Sequence, residues 1–251
     1  MAGMAVYRFC QTLRIFTGDM ITRIKNYEKQ TPTRDARKIY IICEGKSTEP
    51  DYFAFFQGLS SNLEIVIIPP EEGSDPLKLM DLVNRKFFDA DGKYSIDYQA
   101  HDTLWFVVDT DTWEVEGKIS KLREFCSNLN SEDGEVWKKY SEVKPYSVCN
   151  VTQSNPSFEI WLYYHLFTTK PNKSDVESYS SFKEYVNEVF SGGFDFQRDQ
   201  VKLKDAIVNS KANYDFTLVG TPEQFSTEVY KLAEEILPFV RKPLERLGNK
   251  L

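Results

Sequence analysis

Short runs of β-branched and apolar residues alternate with helical patterns over much of this chain, and no other feature restricts its fold as strongly. KIYIIC (38–43) has the length and composition of a strand buried on both faces, and it stops at Glu44-Gly45. STEPDYFAFFQGL (47–59) places Pro50 near a helix start, acids in the first turn, and Tyr52, Phe53, Phe56 and Leu59 at helical spacing. EIVIIPP (64–70) reads as a second strand, and DPLKLMDLVNRKFF (75–88) as a helix capped by Asp75 with Pro76 at its first position. TLWFVVDTD (103–111) is a third strand ending in acids, GKISKLREFCSNL (117–129) an amphipathic helix, and PYSVCNV (145–151) a fourth strand. Strands and helices alternating at this spacing predict βαβ units in a largely parallel sheet with both faces covered.

After Asn155-Pro156 the character changes. FEIWLYYHLF (158–167) is a dense apolar helical pattern, and FKEYVNEVF, DQVKLKDAIVNSKANY and PEQFSTEVYKLAEEIL supply three more, with a polar linker over 170–179. Residues 1–30 read as a helical or loosely ordered lead-in closed by the turn-forming TPTRD. The expected organisation is therefore a lead-in over 1–35, an α/β core over 36–168 and a helical C-terminal extension over 169–251 packed on that core.

With 251 residues, 41% of them hydrophobic, the chain can bury a sizeable core without disulfides. Cys10, Cys43, Cys126 and Cys149 form no CxxC pair and read as reduced core thiols. No apolar stretch approaches the roughly 18 residues of a membrane span, and the start lacks a secretory core with a cleavage site. The expectation is a cytoplasmic protein without a membrane partner. A net charge of −7 argues against a basic protein that coats nucleic acid, but leaves room for a nuclease, whose metal-holding carboxylates are themselves negative.

In an open α/β sheet, ligands collect where strands end and helix N-termini face outward. Glu44 ends the first strand, and Asp109 and Asp111 end the third, two residues apart and so pointing to one side of an extended segment. Carboxylates gathered this closely repel and take up protons unless a cation neutralises them. Mg²⁺ suits them, with its preference for oxygen ligands and substrate phosphate, and Mn²⁺ accepts the same ligands. The plainer alternative for each motif is a solvated turn or a helix cap.

Glu159, in the first turn of a helix beside the strand ends, is a further catalytic candidate able to reach the same metal. Lys46, Asn155 and His165 are the candidate substrate-binding residues. Lys46 sits in the turn after Glu44, beside a helix N-terminus that favours anions, with an ordinary exposed turn lysine as the alternative. Asn155 starts the helix after Asn155-Pro156, where capping is the simpler reading. His165 titrates near neutrality and suits a proton carrier, against the alternative of a satisfied core histidine.

Three blocks carry a family resemblance. Cys43-Glu44-Gly45-Lys46-Ser47-Thr48-Glu49-Pro50-Asp51-Tyr52-Phe53 closely resembles the CEGxxTEPxYF signature of the RloB-like family. Val107-Val108-Asp109-Thr110-Asp111 is similar to its strand-terminal DxD, and Ser154-Asn155-Pro156-Ser157-Phe158-Glu159-Ile160-Trp161-Leu162 with Tyr164-His165 to its SNPxFExWLxxH block. The resemblance runs from about residue 38 to 167. It implies a Toprim-like fold in which Glu44, Asp109 and Asp111 bind Mg²⁺. It also implies an association with restriction-modification and abortive-infection loci, often beside an ABC-type or AAA-type ATPase.

The expected function is a Mg²⁺-dependent nuclease that hydrolyses DNA or RNA phosphodiesters in antiphage defence. The alternative is a non-catalytic regulatory or scaffold subunit of an ATPase-containing complex. A homo-oligomer is compatible with either reading.

Overall fold

The computed structural model describes residues 36–110, 112–131, 137 and 142–249, so the lead-in expected over 1–35 and the candidate ligand Asp111 lie outside the described residues. In chain order the elements are β1 (Arg37–Cys43), α1 (Thr48–Ala54), β2 (Leu63–Ile68), α2 (Pro76–Val83), β3 (Thr103–Asp109), α3 (Thr112–Val115) and α4 (Lys118–Leu129). There follow β4 (Cys149–Asn155), α5 (Glu159–Tyr163), α6 (Lys173–Val176), α7 (Phe182–Val189), α8 (Leu203–Ala212), β5 (Ser226–Thr227) and α9 (Val229–Gly248). The strands form one sheet in the order β2-β1-β3-β4-β5; β1 to β4 are parallel and β5 runs antiparallel to β4. This is the α/β, mostly parallel sheet flanked by helices that the alternation of patterns predicts.

Side chains alternate across each strand, and here both faces are buried. Ile39, Ile41 and Cys43 of β1, with Trp105 and Val107 of β3, join one core with Tyr52 and Phe53 of α1, Trp161 of α5 and the apolar stripe of α9 from Val229 to Leu244. Tyr40, Ile42, Leu104, Phe106 and Val108 point the other way and pack on Leu79 and Leu82 of α2 and on Ile119 and Leu122 of α4. Each large apolar side chain buried in this way contributes roughly 1.5–3 kcal/mol. The C-terminal extension is thus one wall of the main core. Among the described residues no helix is long and apolar enough to cross a membrane, and Cys43, Cys126 and Cys149 are buried free thiols.

Helix α2 starts as expected, with Asp75 accepting from the Leu77 amide at 2.8 Å. Three elements differ from expectation. The fourth strand lies four residues later than the apolar run suggests, because the polar Gln153 and Ser154 are fully buried with their side chains hydrogen-bonded. Ser226-Thr227, expected inside a helix, forms the edge strand β5, with Ser154 Oγ and Thr227 Oγ1 2.8 Å apart across the pair. The expected linker over 170–179 contains α6, capped by Asn172.

Candidate metal centre at the strand ends

Strand β1 lies inside the sheet between β2 and β3, and its pairing continues one residue past its end, the Glu44 amide donating to the Val107 carbonyl at 3.0 Å. This carries the Glu44 side chain to the end of β3. There the Asp109 amide donates to Glu44 Oε2 at 2.8 Å and the Trp113 indole to Oε1 at 2.8 Å. Glu44 is 8% exposed, so both oxygens are braced inside the protein. Each carboxylate oxygen has a second lone pair. The contact joins the Glu44 carboxylate to the Asp109 backbone amide; both side chains carry oxygen donors of the kind a hard divalent cation takes, and in the chemistry of those donors the described residues fit one. Among the described residues no three His, Cys, Asp or Glu side chains are gathered as a metal site.

A second acidic pair lies across the Glu44-Gly45 turn. The Gly45 amide donates to Glu49 Oε1 at 3.0 Å, and a Cβ on Gly45 would sit 2.1 Å from Glu49 Oε2. Burial pushes the Glu49 carboxyl above the usual carboxylate range and nearby Glu159 adds to this, while hydrogen bonds from backbone amides and the Lys183 cation oppose it. Glu159 accepts from Ser157 Oγ at 2.7 Å and lies 3.6 Å from Lys183 Nζ. These partners place Glu159 with Glu49. From sequence, Glu49 is one of the acids in the first turn of the helix; its place against Gly45, which has no room for a side chain, emerges only from the folded turn. Gly45→Ala is expected to expel the Glu49 carboxylate from the Gly45 amide and cost about 1 kcal/mol in urea unfolding. In a Glu49→Gln background the same substitution should cost less.

Beneath Asp109 lies a polar network that apolar patterning could not reveal. Gln153, fully buried on β4, donates from Nε2 to Thr110 Oγ1 at 2.7 Å and to Glu114 Oε2 at 3.1 Å. Arg123 of α4 donates to Gln153 Oε1 at 3.0 Å and to Glu228 Oε2 at 2.6 Å. Glu228, 2% exposed, also accepts on Oε1 from Lys231 at 2.6 Å and Tyr214 at 3.2 Å. The residue that follows Asp109 is in this way tied to α4, β4 and the start of α9.

The three candidate substrate-binding residues divide. Lys46 is exposed in the turn between β1 and α1. Asn155 is a correction: its amide donates to the Pro222 carbonyl at 3.0 Å and its own carbonyl accepts from the Phe225 amide at 2.8 Å, so it clamps β4 to the segment before β5. It does not cap α5, whose N-cap position is Phe158.

His165 is also a correction, being a core residue 1% exposed and enclosed by the rings of Tyr52, Trp161 and Phe194. Its Nδ1 lies 3.1 Å from the Trp161 carbonyl, which can only accept, so Nδ1 carries the proton and Nε2 accepts from the Tyr52 hydroxyl at 3.1 Å. Burial lowers its pKa from 6.5 to about 4. The unfolded chain therefore binds a proton that the folded protein refuses between these values. The stability His165 contributes is full above about pH 6.5 and is lost as pH falls toward 4, by about 3 kcal/mol. Urea unfolding at pH 7 and pH 5 should show a smaller loss in His165→Gln than in the unmodified chain.

The family model of the RloB-like proteins matches residues 39–236, from the second residue pair of β1 to the middle of α9. No curated protein and no solved structure matches the chain. The matched span takes in β1 with Glu44, β3 with Asp109, the buried Glu49–Glu159 pair and the Gln153–Glu228 network, and on it the chain belongs to the RloB-like protein family.

Proposed function

We propose that this RloB-like protein is a Mg²⁺-dependent, Toprim-type nuclease that hydrolyses nucleic-acid phosphodiesters in the cytoplasm as part of antiphage defence, with an ATPase as partner. The observation that carries this reading is the meeting of Glu44 and Asp109 at adjoining strand ends, the Asp109 amide 2.8 Å from Glu44 Oε2. A bound divalent cation would polarise the scissile phosphodiester and offset the negative charge that builds on it. The chain's own part is placement. Glu44 and Asp109 would hold the ion, with Asp111 as the third ligand that the family resemblance implies. Trp113 fixes the rotation of the Glu44 carboxylate. Gln153 fixes the turn after Asp109 through Thr110. Lys46, exposed beside the turn, is free to meet a substrate phosphate.

One observation favours the second reading, a regulatory subunit of an ATPase complex: both Glu44 oxygens already accept hydrogen bonds from the protein, as in a structural brace. Incubating the purified chain with plasmid, single-stranded DNA and tRNA in Mg²⁺, Mn²⁺ or EDTA separates the two. Cleavage that EDTA abolishes supports the nuclease and names its polymer. No cleavage, combined with co-purification of an ATPase, supports the subunit.

A further inference from the structure

Among the described residues the arginines divide sharply. Arg37 pairs with Glu235, Arg85 with Glu72, Arg123 with Glu228 and Arg198 with Asp199. Arg241 and Arg246, both exposed on α9, have no carboxylate partner among the described residues, and neither does Lys242 beside them. Arg241 stands between two cavities. One, of about 530 Å³, lies against Ser60 and Ser61 and is also lined by Lys242 and Arg246. The other, of about 520 Å³, reaches Lys202 and Lys204, which are exposed and likewise without an ion pair among the described residues. Asp205 and Glu245 line that second cavity and dilute its charge without cancelling it.

A chain of net charge −7 that neutralises its other described arginines leaves five cations open on one face. Their mutual repulsion is relieved when an anion sits among them, and the guanidinium fork matches phosphate oxygens in pairs. The cations span two cavities and three helical elements, the 3-10 turn Asp199–Lys202, α8 and α9, more than a single phosphate group requires. No large hydrophobic side chain is exposed on α9, and on α8 only Val208 is, too little apolar surface to anchor a bilayer. We propose that this cationic face of α9, with Lys202 and Lys204, grips the phosphate backbone of a nucleic-acid strand. The proposal rests on the nucleic-acid reading above and gives it a place.

That place is remote from the acids. Glu235, earlier on α9, bonds Arg37 and Thr103 where β1 and β3 begin, whereas Glu44 and Asp109 stand where those strands end. Seven-residue strands separate the two ends by about 20 Å. The grip therefore operates outside the repulsive field of the carboxylates and needs no divalent ion.

The test is fluorescence anisotropy with the full chain in EDTA, using labelled 30-nucleotide single-stranded DNA, its RNA counterpart and the DNA duplex over a range of salt. Binding by at least one of them is expected, with the R241E/R246E double variant about tenfold weaker or more and its salt dependence shallower by about two counterions. R241Q/R246Q should lie between, and Lys173→Glu, on α6, should bind as the unmodified chain does. Unchanged affinity and salt slope in R241E/R246E would overturn the proposal. So would binding by the unmodified chain to none of the three polymers, or loss in the variant of binding to phosphatidylserine vesicles alone. Binding through Arg241 and Arg246 without any cleavage in Mg²⁺ would retain the grip and remove the nuclease; cleavage that R241E/R246E leaves intact, with binding unchanged, would do the reverse.

Discussion

Asp109→Asn is expected to lower divalent-cation-dependent cleavage by at least about 100-fold while the chain stays folded. The substitution removes a charge from the proposed ligand set but keeps the backbone amide that braces Glu44 Oε2. Glu44→Gln should abolish cleavage as fully and cost more stability. Both Glu44 oxygens accept, one from the Asp109 amide and one from the Trp113 indole, and a glutamine amide turns an NH₂ toward one of these donors, whichever way it is flipped. The clash leaves a donor unmade in a buried place, at about 1–3 kcal/mol. The two variants should thus share an activity loss and differ in thermal unfolding. Calorimetric titration with Mn²⁺ supplies a readout independent of turnover: binding that survives both substitutions would place the metal elsewhere. Full cleavage in both variants would end the nuclease assignment to these acids.

The largest expected stability effect belongs to Glu228. Its two oxygens receive Arg123, the Gln153 amide, Lys231 and Tyr214, almost wholly out of water. Glu228→Ala leaves a partly buried guanidinium and a buried amide without their acceptor, and about 3–5 kcal/mol should disappear from the urea-unfolding free energy. Pairing Glu228→Leu with Arg123→Met should restore part of it, because replacing both partners by apolar groups removes the orphaned charge. A loss below about 1 kcal/mol for Glu228→Ala would mean that the network is better hydrated than its geometry implies.

The sequence displays those parts of the molecule whose logic is apolar. KIYIIC and TLWFVVD read as doubly buried strands because every residue faces a core, and they are β1 and β3. Asp75-Pro76 announced a helix start through local hydrogen bonding, and α2 begins there. What the pattern hid is polar and non-local. Gln153 and Ser154 resemble loop residues until their partners Thr110, Arg123 and Thr227 arrive from distant segments, so apolar patterning puts β4 too early and takes β5 into a helix. His165 leaves two readings open in the sequence, proton carrier and core histidine, for a related reason: its satisfaction depends on Tyr52, more than a hundred residues away. Of the candidate site, Glu44 and Asp109 were legible because strand ends are visible in sequence. The burial of Glu49 beneath Gly45 depends on how tightly one turn closes, and was not.

The position of α9 also bears on when the protein becomes a protein. Ile39, Ile41, Trp105 and Val107 are covered by residues between Val229 and Leu244, which leave the ribosome roughly 190 residues after β1 is made. At translation rates of ~5–20 residues per second, that face of the sheet waits ~10–40 s for the last of its cover. The emerging chain therefore holds an apolar sheet covered only in part, by α1 and α5, with Glu44 and Asp109 at its rim, and lacks Glu228 to lock the turn beside them. Both the core and the acidic site are completed by the same late helix, so a prematurely terminated product would be aggregation-prone before it could be active.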